Sequence, residues 1–334
     1  MGLIYTIVNE QSTLDQMIRF CDAVLSERKD LAPSPIGQHK IWTGRVDPVW
    51  PNTLTAPIGT GGEQGDPVGH LASCAYLILK TKSLYDKKVT IGDPHGYGDT
   101  YLSRAKKYLT EADYSMSHHI LLSQLDLSNN NKLYFSKGDP YQGGKPVPWN
   151  QQMMFNYAFQ NLCDSHRILG DNAALLGKYK GVITANLDWF FNGGGSVTKK
   201  DEKGNEVYNW GYVYGEKTAE DSNHGSLDVA GFARAYISGD YGITADQMKT
   251  FGNMFVDVMT LREKKYAGRV DGASGSGYAA ATTYVRSGYL FLAEFRSDAY
   301  KSMVSADLEQ GGSTQSADTF SRFLWVKNQL YKKA

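Results

Sequence analysis

The chain has 334 residues, 41% hydrophobic and 21% charged, enough apolar material for one large core or two smaller ones. Its 35 Lys and Arg balance 35 Asp and Glu, so no basic excess marks a nucleic-acid binder, and an acidic polymer would need positive groups gathered in a cleft. No run of 18 apolar residues occurs, which argues against a membrane-spanning helix.

The first residues, M-G-L-I-Y-T-I-V, lack the basic start and long apolar stretch of a signal peptide. Residues 13–31 predict a helix with Thr13 as N-cap and Leu14, Met17, Ile18, Cys21, Val24 and Leu25 at helical spacing. Residues 68–85 repeat the pattern with Leu71, Ala75, Ile78 and Leu79. Further helices are predicted over 99–123, 150–169, 171–191, 224–238, 244–261, 278–303 and 316–331, with Asp171 and Thr244 as N-caps. A hairpin around 195–215 is the best strand signal. Cys21, Cys74 and Cys163 sit in apolar helical stretches and read as buried free thiols. In the pair His118-His119, one imidazole is expected exposed and one packed.

This succession predicts an all-α fold of helix-on-helix layers. Two arrangements compete: an α/α toroid, a ring of helical hairpins whose inner helices end in cleft-lining loops, and an irregular bundle. Long loops rich in Gly, Trp and Tyr (37–66, 91–100, 136–150, 192–223, 266–277) favour the toroid. No composition break marks a linker, so residues 1–334 read as a single domain.

Aromatic residues make up 12% of the chain, with 22 Tyr and 6 Trp. Flat rings with polar tips suit the faces of sugars, and equally an ordinary core. The segment Glu220–Ala235 (E-D-S-N-H-G-S-L-D-V-A-G-F-A-R-A) sets Asn223 and His224 side by side where a loop becomes a helix. The loop before it, N-W-G-Y-V-Y-G-E, contributes Trp210. An imidazole and a carboxamide at a helix mouth can grip a carboxylate and move a proton. Arg269 to Tyr278 (R-V-D-G-A-S-G-S-G-Y) adds a guanidinium and a phenol, with Tyr284 and Arg286 beyond.

Two further loops read as sugar subsites or as packed loops: P-V-P-W-N-Q-Q, with Trp149, Asn150 and Gln151, and I-W-T-G-R-V-D-P-V-W, with Trp42, Arg45 and Trp50. Glu220, Asp221 and Asp228 could instead form the carboxylate pair of a glycoside hydrolase, although their closeness in sequence argues for capping and hydrogen-bonding roles at the helix mouth. His224 and Asp228 at i, i+4 could begin a metal site, but no third ligand has clear spacing, so no metal or cofactor is expected. The glycine runs 59–65 and 192–196 lack a phosphate-loop ending and read as flexible loops over the cleft.

Asn-His followed some fifty residues later by Arg and then Tyr resembles the catalytic set of helical-toroid polysaccharide lyases, including the mannuronate-specific alginate lyases. With its E-D-x-x-H-G-x-x-D segment and P-W-N-Q loop, the chain is most similar to the glucuronan/alginate lyase family numbered 38. The resemblance implies β-elimination on a β-1,4-linked polyuronate, glucuronan first and polymannuronate second. It implies Asn223 and Arg269 as carboxylate neutralisers, His224 as neutraliser or alternative base, and Tyr278 as base and acid. Extra small residues in the Arg-to-Tyr gap leave Arg269 less firmly matched, with Tyr284 and Arg286 as substitutes. The implied partner is an acidic polysaccharide, and the implied location periplasmic or secreted. A sugar-binding protein without turnover is the non-enzyme alternative.

Overall fold

The computed structural model describes residues 1–52, 59–309 and 317–333, and the chain is mostly helical. A short α1 (Gly2–Val8) ends at Asn9 in the left-handed region, φ 52°. Helix α2 spans Gln11–Ser26 and buries Leu14, Met17, Ile18, Cys21 and Leu25. Its N-cap is Glu10, so Thr13 lies inside the first turn and is no cap, and the helix stops five residues short of the predicted end.

Helix α3 is Gly65–Lys80. Helix α4 is Tyr101–Ser115, started by a capping box between Thr100 and Ser103. It runs on as a π-helix over Met116–Gln124. Helix α5 (Trp149–Leu169) closes on Gly170 at φ 69°. Helix α6 (Ala173–Phe191) starts after Asn172 with no side-chain cap. Asp171, expected to cap it, binds the His166 ring instead at 2.7 Å.

Helix α7 is Ser222–Ser238. Helix α8 (Ala245–Asn253) is capped by Thr244 as predicted and continues as a π-turn, Met254–Met259. The expected hairpin forms from Ser196–Lys200 and Glu206–Trp210, in register from Ser196↔Trp210 to Lys200↔Glu206. Two smaller antiparallel pairs join Leu125–Asp126 to Tyr134–Phe135 and Thr260–Arg262 to Lys265–Tyr266.

The predicted helix over 278–303 is not formed. That stretch holds short 3-10 turns at Gly277–Ala279, Ser287–Glu294 and Ser297–Ala299, and α9 begins only at Tyr300 (Tyr300–Glu309). Thr282 exchanges both backbone hydrogen bonds with Tyr266, at 2.8 and 2.9 Å, which draws the chain out into extended form. Helix α10 is Ala317–Lys333. The first residue of its predicted span, 316, and residues 53–58 of the 37–66 loop lie outside the described residues.

Close approaches order the helices. A Cβ on Gly65 would meet the Met154 backbone at 2.4 Å, one on Gly69 the Tyr157 ring at 2.3 Å, and one on Gly231 the Met153 side chain at 2.3 Å. Arg234 lies over the Tyr157 ring. Positions rise together along α3, α5 and α7, so the three helices run parallel and present their N-termini at one end. Packing continues from α7 to the Ser287–Glu294 turn, then to α10, α1, α2 and back to α3, a closed circuit. Among the described residues no helix is long and apolar enough to cross a membrane. All three cysteines are free and buried.

Candidate functional site

The site forms at the mouth of α7. Asp221 is the N-cap: its Oδ1 accepts the backbone N–H groups of Asn223 at 2.9 Å and His224 at 3.0 Å. Its Oδ2 pairs with Nδ1 of His224 at 2.6 Å. One carboxylate thus starts the helix and fixes the imidazole, leaving Nε2 for other work. Burial would raise the Asp221 carboxyl, but the His224 ring, the His224 and Asn223 backbone bonds and the facing imidazole outweigh it and hold the group below its ordinary value.

The His224 ring contacts two phenols. Tyr212 is 5.0 Å away between centroids, and Tyr278 stands edge-on at 5.5 Å. Tyr278 follows Gly277, whose φ of +60° turns the chain there, and is 64% exposed. The second segment reaches the first through strand-like pairing: Ser222 N–H donates to Gly268 C=O at 2.7 Å and Val270 N–H to Glu220 C=O at 3.0 Å. Arg269 is thereby held beside the helix mouth, with its guanidinium donating to the Ala219 carbonyl.

Arg286 donates from Nε to Ser222 Oγ at 3.1 Å and from a terminal nitrogen to Asn223 Oδ1 at 2.9 Å. With its oxygen occupied, the Asn223 amide keeps both Nδ2 hydrogens, which have no partner among the described residues, for a ligand. Tyr212, Glu216, Thr218, Ala219, Glu220, Asp221, His224 and Arg269 line a cleft of about 280 Å³. The four residues singled out from the sequence, Asn223, His224, Arg269 and Tyr278, therefore come together from segments fifty residues apart.

Behind the imidazole lie two buried acids. Glu220 is 1% exposed, and burial, then Asp228 and Asp221, push its carboxyl up to about 10. Asp228 is also raised by burial, although Trp210 Nε1 donates to it at 2.8 Å. A neutral, enclosed Glu220 and an Asp221 committed to His224 do not present the solvent-facing pair that hydrolysis needs. Glu220, Asp221 and His224 offer ligand atoms within 4.8 Å of one another. The acid beside Nδ1 is Asp221 rather than Asp228. Because Nδ1 already bonds Asp221 and Arg269 lines the same cleft, these donors suit a proton relay better than a cation.

The remaining candidates divide. Trp149 is wholly buried against Trp189 and Phe190, so its indole offers no face to a sugar. Trp210 is 3% exposed and serves Asp228. Trp50 donates its indole N–H to Val24 C=O and faces the Arg28 guanidinium. Arg45 grips Asp47 at 2.9 and 3.2 Å, and Asp47 bonds the buried His119, which bonds Thr60. All four thus have partners within the fold, and of them Arg45 is the one whose side chain is half exposed. His119 is the packed imidazole of its pair and His118 the exposed one.

Trp42 is partly buried, edge-on to His119. Tyr284 lies under the Arg286 guanidinium. The Gly59–Gly65 run is no loose flap where described: Gly62–Gln64 forms a turn into α3, and a Cβ on Gly62 would fall 2.3 Å from that of Gln151. The 192–196 run likewise packs, since a Cβ on Gly195 would sit 2.7 Å from Trp149. Sequence reading passed over Tyr212 and Tyr141 as individual residues; the capping role it gave the acids at the helix mouth holds for Asp221, but the grip of that carboxylate on His224 was not foreseen. An Asp three residues before a His at a helix start was the available signal for its orienting role.

Compared with known proteins, the sequence matches no family model and no curated protein.

Proposed function

We propose that this protein is a polysaccharide lyase that cleaves a β-1,4-linked polyuronate, glucuronan first and polymannuronate second, by β-elimination on a helical toroid. The supporting observation is a carboxylate-oriented imidazole that shares a cleft with the Arg269 guanidinium and touches the exposed Tyr278 phenol, next in sequence to the Asn223 amide with its free donors. The closed helical circuit supports the toroid reading. The N-terminus of α7, which opens at the site, supplies partial positive charge that suits an anionic chain, although the net charge is zero.

In this reading Asn223 and Arg269 hydrogen-bond the sugar carboxylate and stabilise the enolate-like charge as the C5 proton leaves. The Tyr278 phenolate takes that proton, the C5 electron pair becomes the C4–C5 double bond, and the C4–O4 bond breaks. The phenol then returns its proton to O4. In glucuronate and mannuronate the C5 hydrogen and O4 lie on one face, so one phenol serves both steps. For the first transfer the phenol proton must depart, and the His224 imidazole, in edge contact and oriented by Asp221, can receive it.

The test is incubation with a panel of uronans, following the ultraviolet absorbance of the unsaturated product. Absorbance rising on glucuronan or polymannuronate, and lost in Tyr278→Phe, supports the reading. Binding without product over hours would favour a sugar-binding protein instead.

A further inference from the structure

Helix α5 opens beside the site with its first turn unsatisfied. Its N-cap is Pro148, with no side-chain cap bond. Trp149 N–H donates to Tyr212 C=O at 3.2 Å and Gln152 N–H to Pro148 C=O at 2.9 Å. The N–H groups of Asn150 and Gln151 between them find no acceptor among the described residues.

The side chains at this turn are enclosed with an acceptor unpaired among the described residues, as are Gln152 and Asn156 further along α5. Asn150 is 5% and Gln151 8% exposed, yet Asn150 Oδ1 and Gln151 Oε1 have no hydrogen-bond partner among the described residues. Left dry, each is a desolvated acceptor that opposes folding. Gln151 Nε2 donates to the Tyr141 hydroxyl at 3.0 Å. The Tyr141 phenol adjoins that of Tyr212, whose ring packs on His224. A chain of neighbouring side chains therefore runs from the imidazole to the α5 mouth, and Gly62 packs against Gln151.

We infer that the first turn of α5, with Asn150, Gln151, Tyr141 and Tyr212, is a subsite for the hydroxyl groups of the sugar next to the reacting uronate. The inference rests on the lyase reading. Its ligand class follows from the unmet groups, which are two amide oxygens and two backbone N–H donors. A carboxylate cannot donate to the oxygens, whereas adjacent pyranose hydroxyls both donate and accept. The subsite thus binds the neutral edge of the neighbouring ring, while Asn223 and Arg269 keep the charged one.

The experiment compares wild type with Gln151→Leu and Asn150→Leu on glucuronate oligomers of increasing length. The expected result is a rise in KM of about tenfold, the equivalent of one hydrogen bond, on long oligomers, with kcat and the rate on the shortest cleaved oligomer unchanged. Asn150→Ser, which keeps an acceptor, restores part of the loss. An equal loss at every length, or none, overturns the proposal. A second arm uses cellotetraose, which carries no carboxylate: it perturbs the Tyr141 and Tyr212 ring signals in NMR spectra of wild type but not of Gln151→Leu. No perturbation in wild type overturns the subsite. If no uronan yields unsaturated product, the lyase reading fails and the cellotetraose arm alone decides the subsite.

Discussion

Asp221 carries two loads, and two substitutions separate them. Its Oδ1 caps α7 through two backbone N–H groups, while Oδ2 holds His224. Asn is as good an N-cap as Asp, so Asp221→Asn keeps the cap. It replaces a charge-assisted bond of about 1.5–3 kcal/mol with at best a neutral one of about 0.5–1.5, a cost near 1 kcal/mol. Asp221→Ala loses that bond and the cap as well, adding about 1 kcal/mol for a total of roughly 3 kcal/mol.

With Asn's oxygen kept on the backbone, its Nδ2 faces His224 Nδ1 and selects the tautomer with the proton on Nε2. A base so misdirected should slow turnover by about 10² to 10⁴. The account predicts unequal stability losses and nearly equal activity losses. Thermal denaturation and initial-rate measurements on both variants check it. Full activity in Asp221→Asn, or activity that merely tracks stability, would refute the reasoning.

Four other outcomes follow from particular contacts. His166 bridges Asp113 and Asp171 at 2.8 and 2.7 Å. Burial opposes its charge, but the two carboxylates raise its pKa above the ordinary 6.5, so the bridge stabilises fully below that value and is lost as pH rises through the folded pKa. Chemical denaturation across that range should show the decline in wild type and not in His166→Gln. Removing the fully buried Arg104, which pairs with Asp22 and Asp93 and clasps the 91–100 loop through the Gly92 and Gly98 carbonyls, should cost about 3–5 kcal/mol in urea unfolding of Arg104→Ala. Gly65→Ala would drive a Cβ into the Met154 backbone and should destabilise by at least about 1–3 kcal/mol. Gly177→Ala, exposed in mid-helix with nothing within 4 Å, should stabilise by about 0.5–1 kcal/mol, and calorimetry of the two glycine variants should show opposite signs.

Periodicity made the helices legible wherever one face is buried. Leu14, Met17, Ile18, Cys21 and Leu25 face the core as their spacing requires. Helix ends were less readable, because Ser, Thr and Asp have other partners available: Thr13 caps nothing, and Asp171 leaves α6 for His166. Residues 278–303 carry helical spacing, but pairing with Tyr266, distant in sequence, overrides it. Asn223, His224, Arg269 and Tyr278 could be picked out because their side-chain chemistry is distinctive. Trp149 misled for the opposite reason: an indole at a loop end suits a sugar or a core, and only three-dimensional packing decides.

Cleavage of glucuronan in heavy-oxygen water tests the central claim most directly. Elimination breaks the C4–O4 bond without adding water, so both new chain ends should be free of solvent oxygen and one should carry the unsaturated ring. Heavy oxygen at the new reducing end, with saturated products, would contradict the account.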